Sequence, residues 1–183
     1  MYKKLLGISV SAILISSCSL QPKAKLTLTK IDAEGRLIAV IFDSDIDILS
    51  PHRTNKYQIP TSTGFDCVLG TGKLSDEIDP GLAYIGGLIE PVGMSVGGNG
   101  SKTYRFKSQL TFSKQAEDSP HSSKVMESDE ITNLLSKHSR MRCRVRILAY
   151  FSNPYFSEPV DMPLGQLRSQ VEALAREENR DKR

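Results

Sequence analysis

The chain has 183 residues, with 24 Lys and Arg against 21 Asp and Glu and a formal net charge of +3. That length suits one domain with a real core, and so even a charge balance sets nucleic acid aside as a partner. Neither CxxC nor HExxH occurs, so the common zinc signatures are excluded.

The chain begins with a short positive stretch, Met1–Lys4 (MYKK), then a mostly apolar run, Leu5–Ile15. Small residues follow, in Ile15-Ser16-Ser17-Cys18. A charged start, a short apolar core and small residues at a cut form a secretory signal. The apolar run is well short of the roughly 20 residues that span a bilayer. ISSC resembles the lipobox of bacterial lipoproteins. The resemblance implies cleavage before Cys18, a diacylglycerol on its thiol and, usually, an acyl chain on its new amino group. In enterobacterial lipoproteins an Asp after the cysteine favours the inner membrane; Ser19 stands here, which implies an outer-membrane anchor facing the periplasm. Several acyl chains, at about 0.8 kcal/mol per buried CH2, hold such a protein durably.

The resulting organisation is a signal peptide over 1–17, a lipidated N-terminus and tether over 18–25, a single β-rich domain over 26–178 and a charged tail over 179–183. Loss of the signal removes Lys3 and Lys4 and no acid, which brings the mature charge close to neutral. Two cysteines remain, Cys67 and Cys143, each in a strand-like segment. In an oxidising compartment a lone pair is most simply a disulfide.

Leu26–Lys30 alternates apolar and polar residues as a strand does, and Arg36–Phe42 is apolar on both faces, as in a central strand. Tyr57–Pro60 and Phe65–Leu69 are short strand candidates; Ala83–Ile89 is apolar but broken by glycine. Gly97-Gly98-Asn99-Gly100 predicts a hairpin loop before a strong strand, Thr103–Phe112. Tyr104, Phe106, Leu110 and Phe112 share one face of that strand, and Arg105, Lys107, Gln109 and Thr111 the other. The polar stretch from Ser113 to Lys124 predicts a mobile loop. Ser128 is placed to cap a helix running to about His138, with Ile131, Leu134 and Leu135 as its buried stripe. Met141–Phe151 is the clearest strand, with Cys143, Val145 and Ile147 on one face and Arg142, Arg144 and Arg146 on the other. Ser152-Asn153-Pro154 turns the chain. A short strand before Pro163 and a helix over Leu164–Glu178, with Leu164, Leu167, Val171 and Leu174 on its stripe, complete the reading. Glu172 and Arg176 have pairing spacing. The fold class expected is mainly β: an antiparallel β-sandwich with a short internal helix, a C-terminal helix and one disulfide.

Catalytic signals are sparse. Gly93-Met94-Ser95-Val96-Gly97 matches GxSxG, the nucleophile elbow of α/β-hydrolases, which needs a helix directly afterwards. Gly98-Asn99-Gly100 follows instead. Asp118 with His121, or Asp129 with His138, would have to complete a triad. Gly70-Thr71-Gly72-Lys73 lacks the first glycine and the final Ser or Thr of a phosphate loop. Asp43, Asp45 and Asp47 alternate and can gather calcium, but without the spacing of an EF-hand. His52, His121 and His138 are isolated in sequence.

No catalytic residue, metal or cofactor is therefore assigned. The partner-binding candidates are the basic row Arg142, Arg144 and Arg146, with Tyr150 and Tyr155 beside it, because Tyr and Arg dominate interface hot spots. Arg105 and Lys107 extend that row if their strand pairs with it. Small size, a lipid anchor and a β-rich, disulfide-bonded domain, carried by Cys18, Cys67 and Cys143, resemble the architecture of immunity lipoproteins of type VI secretion systems. That resemblance implies a non-enzymatic module that binds a periplasmic protein, an inhibitor of a delivered toxin. An assembly lipoprotein of an envelope machine and a serine esterase using Ser95 are the alternatives.

Overall fold

The structure is a computed structural model; it describes residues 22–35, 37–50, 60–70, 74, 83–116, 119–149 and 153–181. In chain order the elements are β1 (Leu26–Glu34), β2 (Leu37–Ser44), β3 (Pro60–Leu69), β4 (Tyr84–Val96), β5 (Lys102–Ala116), β6 (Ser119–Val125), α1 (Ser128–Ser136), β7 (Met141–Ala149), β8 (Tyr155–Phe156), β9 (Val160–Met162) and α2 (Leu164–Asp181). All the strand pairings are antiparallel, in the order β1-β2-β5-β4-β3-β7-β8, with β6 on β5 and β9 on β7.

Alternation explains which side of each strand is buried. Met141, Cys143, Val145 and Ile147 face the core from β7, as do Phe65 and Cys67 from β3 and Phe106, Leu110 and Phe112 from β5. The β2 side chains Ile38, Val40 and Phe42 join them. In a flat sheet β2 and β3, separated by β5 and β4, would lie about 14 Å apart. Yet the rings of Phe42 and Phe65 stack with centroids 4.8 Å apart, and Phe106 stacks on Phe42 at 5.7 Å. The sheet is therefore rolled, and its two halves face each other across the core as the layers of a sandwich. Its far edges also meet: the Ala24 amide donates to Tyr155 Oη at 2.8 Å, and Glu158 N to the Ala24 carbonyl at 2.9 Å.

Cys67 and Cys143 are directly opposed across β3 and β7, with Cα atoms 4.0 Å apart, and form a disulfide. The mainly β, two-helix, one-disulfide architecture is thus the one expected.

Three expectations need correction. Ser113–Lys124 is not a loop through its length: β5 runs on to Ala116 and β6 returns against it, pairing Ser113 with Val125 and Lys114 with Lys124. This hairpin arm needs no apolar alternation, because backbone hydrogen bonds hold it and Val125 is exposed. Second, the cap of α1 is Glu127 rather than Ser128: Glu127 and Glu130 form a reciprocal capping box. Third, Arg176 donates to the backbone carbonyl of Glu172 at 3.1 Å instead of forming an ion pair with its carboxylate.

The helices lie at one end of the sheet. Leu164, Leu167, Val171 and Leu174 of α2 are buried in the core. Gln170 accepts from the Ala33 amide, and Arg168 donates to the carbonyls of Leu135 and His138, covering the C-terminal end of α1.

Candidate functional site

On β7 the pleat turns Arg142, Arg144 and Arg146 away from the core, as expected. They do not form a free cationic row. Arg142 Nε lies 3.5 Å from Asp161, and the Arg144 guanidinium sits 3.8 Å over the Phe156 ring. Arg146 donates to Asp66 Oδ2. Arg105 and Lys107 do not extend the row through strand pairing, since β4 and β3 stand between β5 and β7. Arg105 makes a two-pronged contact with Asp43, at 2.8 and 2.9 Å, and Lys107 pairs with Glu34.

Tyr155 needs a further correction. A partner-binding candidate beside the row in the sequence, it is buried in the fold, 8% exposed. Its hydroxyl donates to the Pro22 carbonyl and accepts from Ala24 N, so it anchors the N-terminal segment to the body. Burial pushes its hydroxyl pKa up. Tyr150, Cys18, His52 and the Thr71–Lys73 part of the phosphate-loop candidate lie outside the described residues, as do Asp118 and the His121 side chain.

The sheet brings together a different group on its outer face. A shallow groove of about 390 Å³ is lined by Tyr84, Leu88, Glu90, Lys107, Gln109 and Arg146, among others. Its floor is glycine. A Cβ on Gly86 would sit 2.7 Å from Tyr84 Oη, and one on Gly64 would sit 3.0 Å from Asp66 Oδ1. Because those positions lack side chains, Tyr84 can lie across the sheet and donate to Asp66 Oδ1 at 2.9 Å. Asp66 thus receives Tyr84 on one oxygen and Arg146 on the other. Burial, with the Asp66 charge added, pushes the Tyr84 hydroxyl up to about 12. The unit is a fixed, neutral-phenol hydrogen-bond cluster beside the apolar Leu88, which is 69% exposed. Such a surface can bind by shape and hydrogen bonding.

Other sequence candidates are separated by the fold. Ser95 lies within β4 opposite Thr103, and the chain then turns directly into β5. The Gly97 amide donates to the Ser101 carbonyl at 2.8 Å, and Gly100 takes φ +80°. The turn leads to a strand, so no nucleophile elbow forms at Ser95. Asp43 is held by Arg105, Asp45 accepts from Lys25 N, and Asp47 accepts from Leu49 and Ser50 N. The three carboxylates serve three different partners. Among the described residues, no cluster of three His, Cys, Asp or Glu side chains is placed to hold a metal ion. Within the same residues, no helix is long and apolar enough to cross a membrane.

Comparison with protein-family models, with characterised proteins and with solved structures found no match.

Proposed function

We propose that this chain is a lipid-anchored lipoprotein of the bacterial envelope that acts without catalysis, by binding a periplasmic protein on the outer face of its sheet. The observation that carries the binding role is the groove at Tyr84, Leu88 and Arg146. It combines an exposed apolar residue with a Tyr and an Arg that are already held in place, so little side-chain freedom is lost on binding. The lipobox at Cys18 and the Cys67–Cys143 disulfide support an oxidising, extracytoplasmic setting.

An immunity-type inhibitor of a periplasm-delivered toxin is the first version of this reading, and an assembly lipoprotein of an envelope machine the second. The esterase alternative loses its support, because Ser95 sits in a β-hairpin. Affinity purification of the lipidated protein tests the proposal. A single stoichiometric partner should be recovered with wild type and at least ten-fold less with Leu88→Asp, a substitution at an exposed site. Recovery of a toxin, or of machine subunits, separates the two versions. Equal recovery with Leu88→Asp removes the groove from the binding surface.

A further inference from the structure

The antiparallel registers place several features at one end of the sheet. Leu26 pairs with Ser44, Ser44 with Tyr104, and Tyr104 with Met94. The start of β1 and the tip of the β4–β5 hairpin therefore share one end, and α1 and α2 occupy the other. Beyond the row through Met94 and Tyr104 the hairpin continues through two more pairs, Ser95–Thr103 and Val96–Lys102, and then its loop. At about 3.3 Å per residue that is a projection on the order of 10 Å.

The outer half of β4 carries three exposed apolar side chains and no charge. No ionisable residue occurs between Glu90 and Lys102. Val92, Met94 and Val96 are 55%, 56% and 59% exposed. Among the described residues β4 pairs with β3 over Ile85–Leu88. Three large apolar side chains exposed on one tip are a hazard in water unless something covers them.

The N-terminal segment identifies the cover. Ala24 is fully buried, held by Tyr155 and Glu158, and Lys25 N donates to Asp45 Oδ1 at 2.8 Å. The chain is thus tied to the body from Pro22 onward. Only four residue steps separate Pro22 from Cys18, a reach of at most about 14 Å. Roughly half of that is taken up by the headgroup layer itself, which is about 5 to 8 Å thick on each side of the hydrocarbon. A domain leashed so closely cannot stand away from the bilayer by more than its own hairpin projects. Lys23, Lys25 and Lys102 are exposed at the same end beside the exposed Asp45 and Glu158, so this end carries both signs of charge and its exposed apolar side chains are what favour the interface.

We infer that the β4–β5 hairpin rests in the membrane surface beside the lipid anchor, with Val92, Met94 and Val96 at headgroup depth. The inference rests on lipidation of Cys18, the premise of the proposed function. At that depth water still reaches the backbone of the hairpin loop, which the hydrocarbon interior would not allow. The helices then point away from the membrane.

The chain contains no Trp, so a single introduced Trp reports on one position. The lipidated full chain carrying Val96→Trp is reconstituted into phosphatidylethanolamine–phosphatidylglycerol vesicles with brominated acyl chains, beside the same protein carrying Lys137→Trp. Both should float with the vesicles. Emission from position 96 should be blue-shifted and quenched several-fold more than emission from position 137. Adding Val92→Asp and Met94→Glu to Val96→Trp should abolish that quenching while flotation persists. Equal quenching at the two positions in floating protein overturns the inference and leaves the lipid anchor standing. A concentration-dependent blue shift without bromine quenching also overturns it, in favour of a second copy on the tip. Failure to float defeats the anchor and the inference together.

Discussion

At the scale of single residues, two tyrosines and two acids do unlike things. Tyr155 is a clamp for the N-terminal segment; Tyr84 belongs to the surface cluster with Asp66 and Arg146. The Tyr84 hydroxyl is raised from its ordinary 10.0 to about 12, first by burial and then by Asp66. A group with a raised folded-state pKa contributes stability in full below its unfolded value. That contribution falls as pH climbs from about 10 toward 12, because the unfolded chain releases the proton first. Tyr84→Phe should remove this alkaline fall and cost about 0.5 to 1.5 kcal/mol at neutral pH, through the lost hydrogen bond. Urea unfolding from neutral to strongly alkaline pH checks both; an unchanged alkaline limb would mean the hydroxyl is not the group responsible. Asp43 has the opposite sign. The hydrogen bond from Arg105 holds its carboxyl below the usual range, so its contribution is present at neutral pH and lost as acid protonates it. The disulfide is the largest single covalent constraint. It joins residues 76 apart, for which chain entropy implies about 4 to 5 kcal/mol. Replacing both Cys67 and Cys143 by Ala should lower the urea midpoint accordingly, and so should reductant acting on wild type.

At the scale of elements, alternation was the readable signal. β7, β5 and α2 have their buried faces where the residue pattern puts them, since Cys143, Val145, Ile147, Leu167 and Val171 all point into the core. The arginine row was also legible as a face, but its contacts were not. Asp66, Asp161 and Phe156 come to it from β3, β9 and β8, and only the register brings them there. The groove was hidden for the same reason. Its one trace was a set of mid-strand glycines, read as breaks in Ala83–Ile89. In the fold they are close approaches: a Cβ at Gly87 would lie 2.0 Å from the Gln109 carbonyl oxygen. Backbone cannot yield as a flexible side-chain tip can. Gly87→Ala should therefore cost about 1 to 3 kcal/mol and loosen β4 from β5, seen as faster amide exchange along both strands. A neutral effect on stability would mean that the strands do not meet so closely. The β5–β6 arm escaped notice because its polar residues carry no alternation for a core to impose.

At the scale of the whole molecule, the structure is polar in the geometric sense. The N-terminal segment, the start of β3 and the β4–β5 tip gather at one end, and the two helices close the other. The proposed lipidation of Cys18 would give that asymmetry a direction, with the hairpin toward the bilayer and the helices away from it. The candidate groove would then lie on the side of the domain, across the middle of the sheet, open to the proposed periplasmic partner. Each of these assignments depends on the modification of Cys18. The direct measurement is mass spectrometry of the N-terminal peptide from the membrane-extracted protein. Residues 1–17 should be missing, and the first residue should be Cys18 bearing a diacylglyceryl thioether and an amide-linked acyl chain. An intact Met1, or a Cys18 without lipid, would contradict the account.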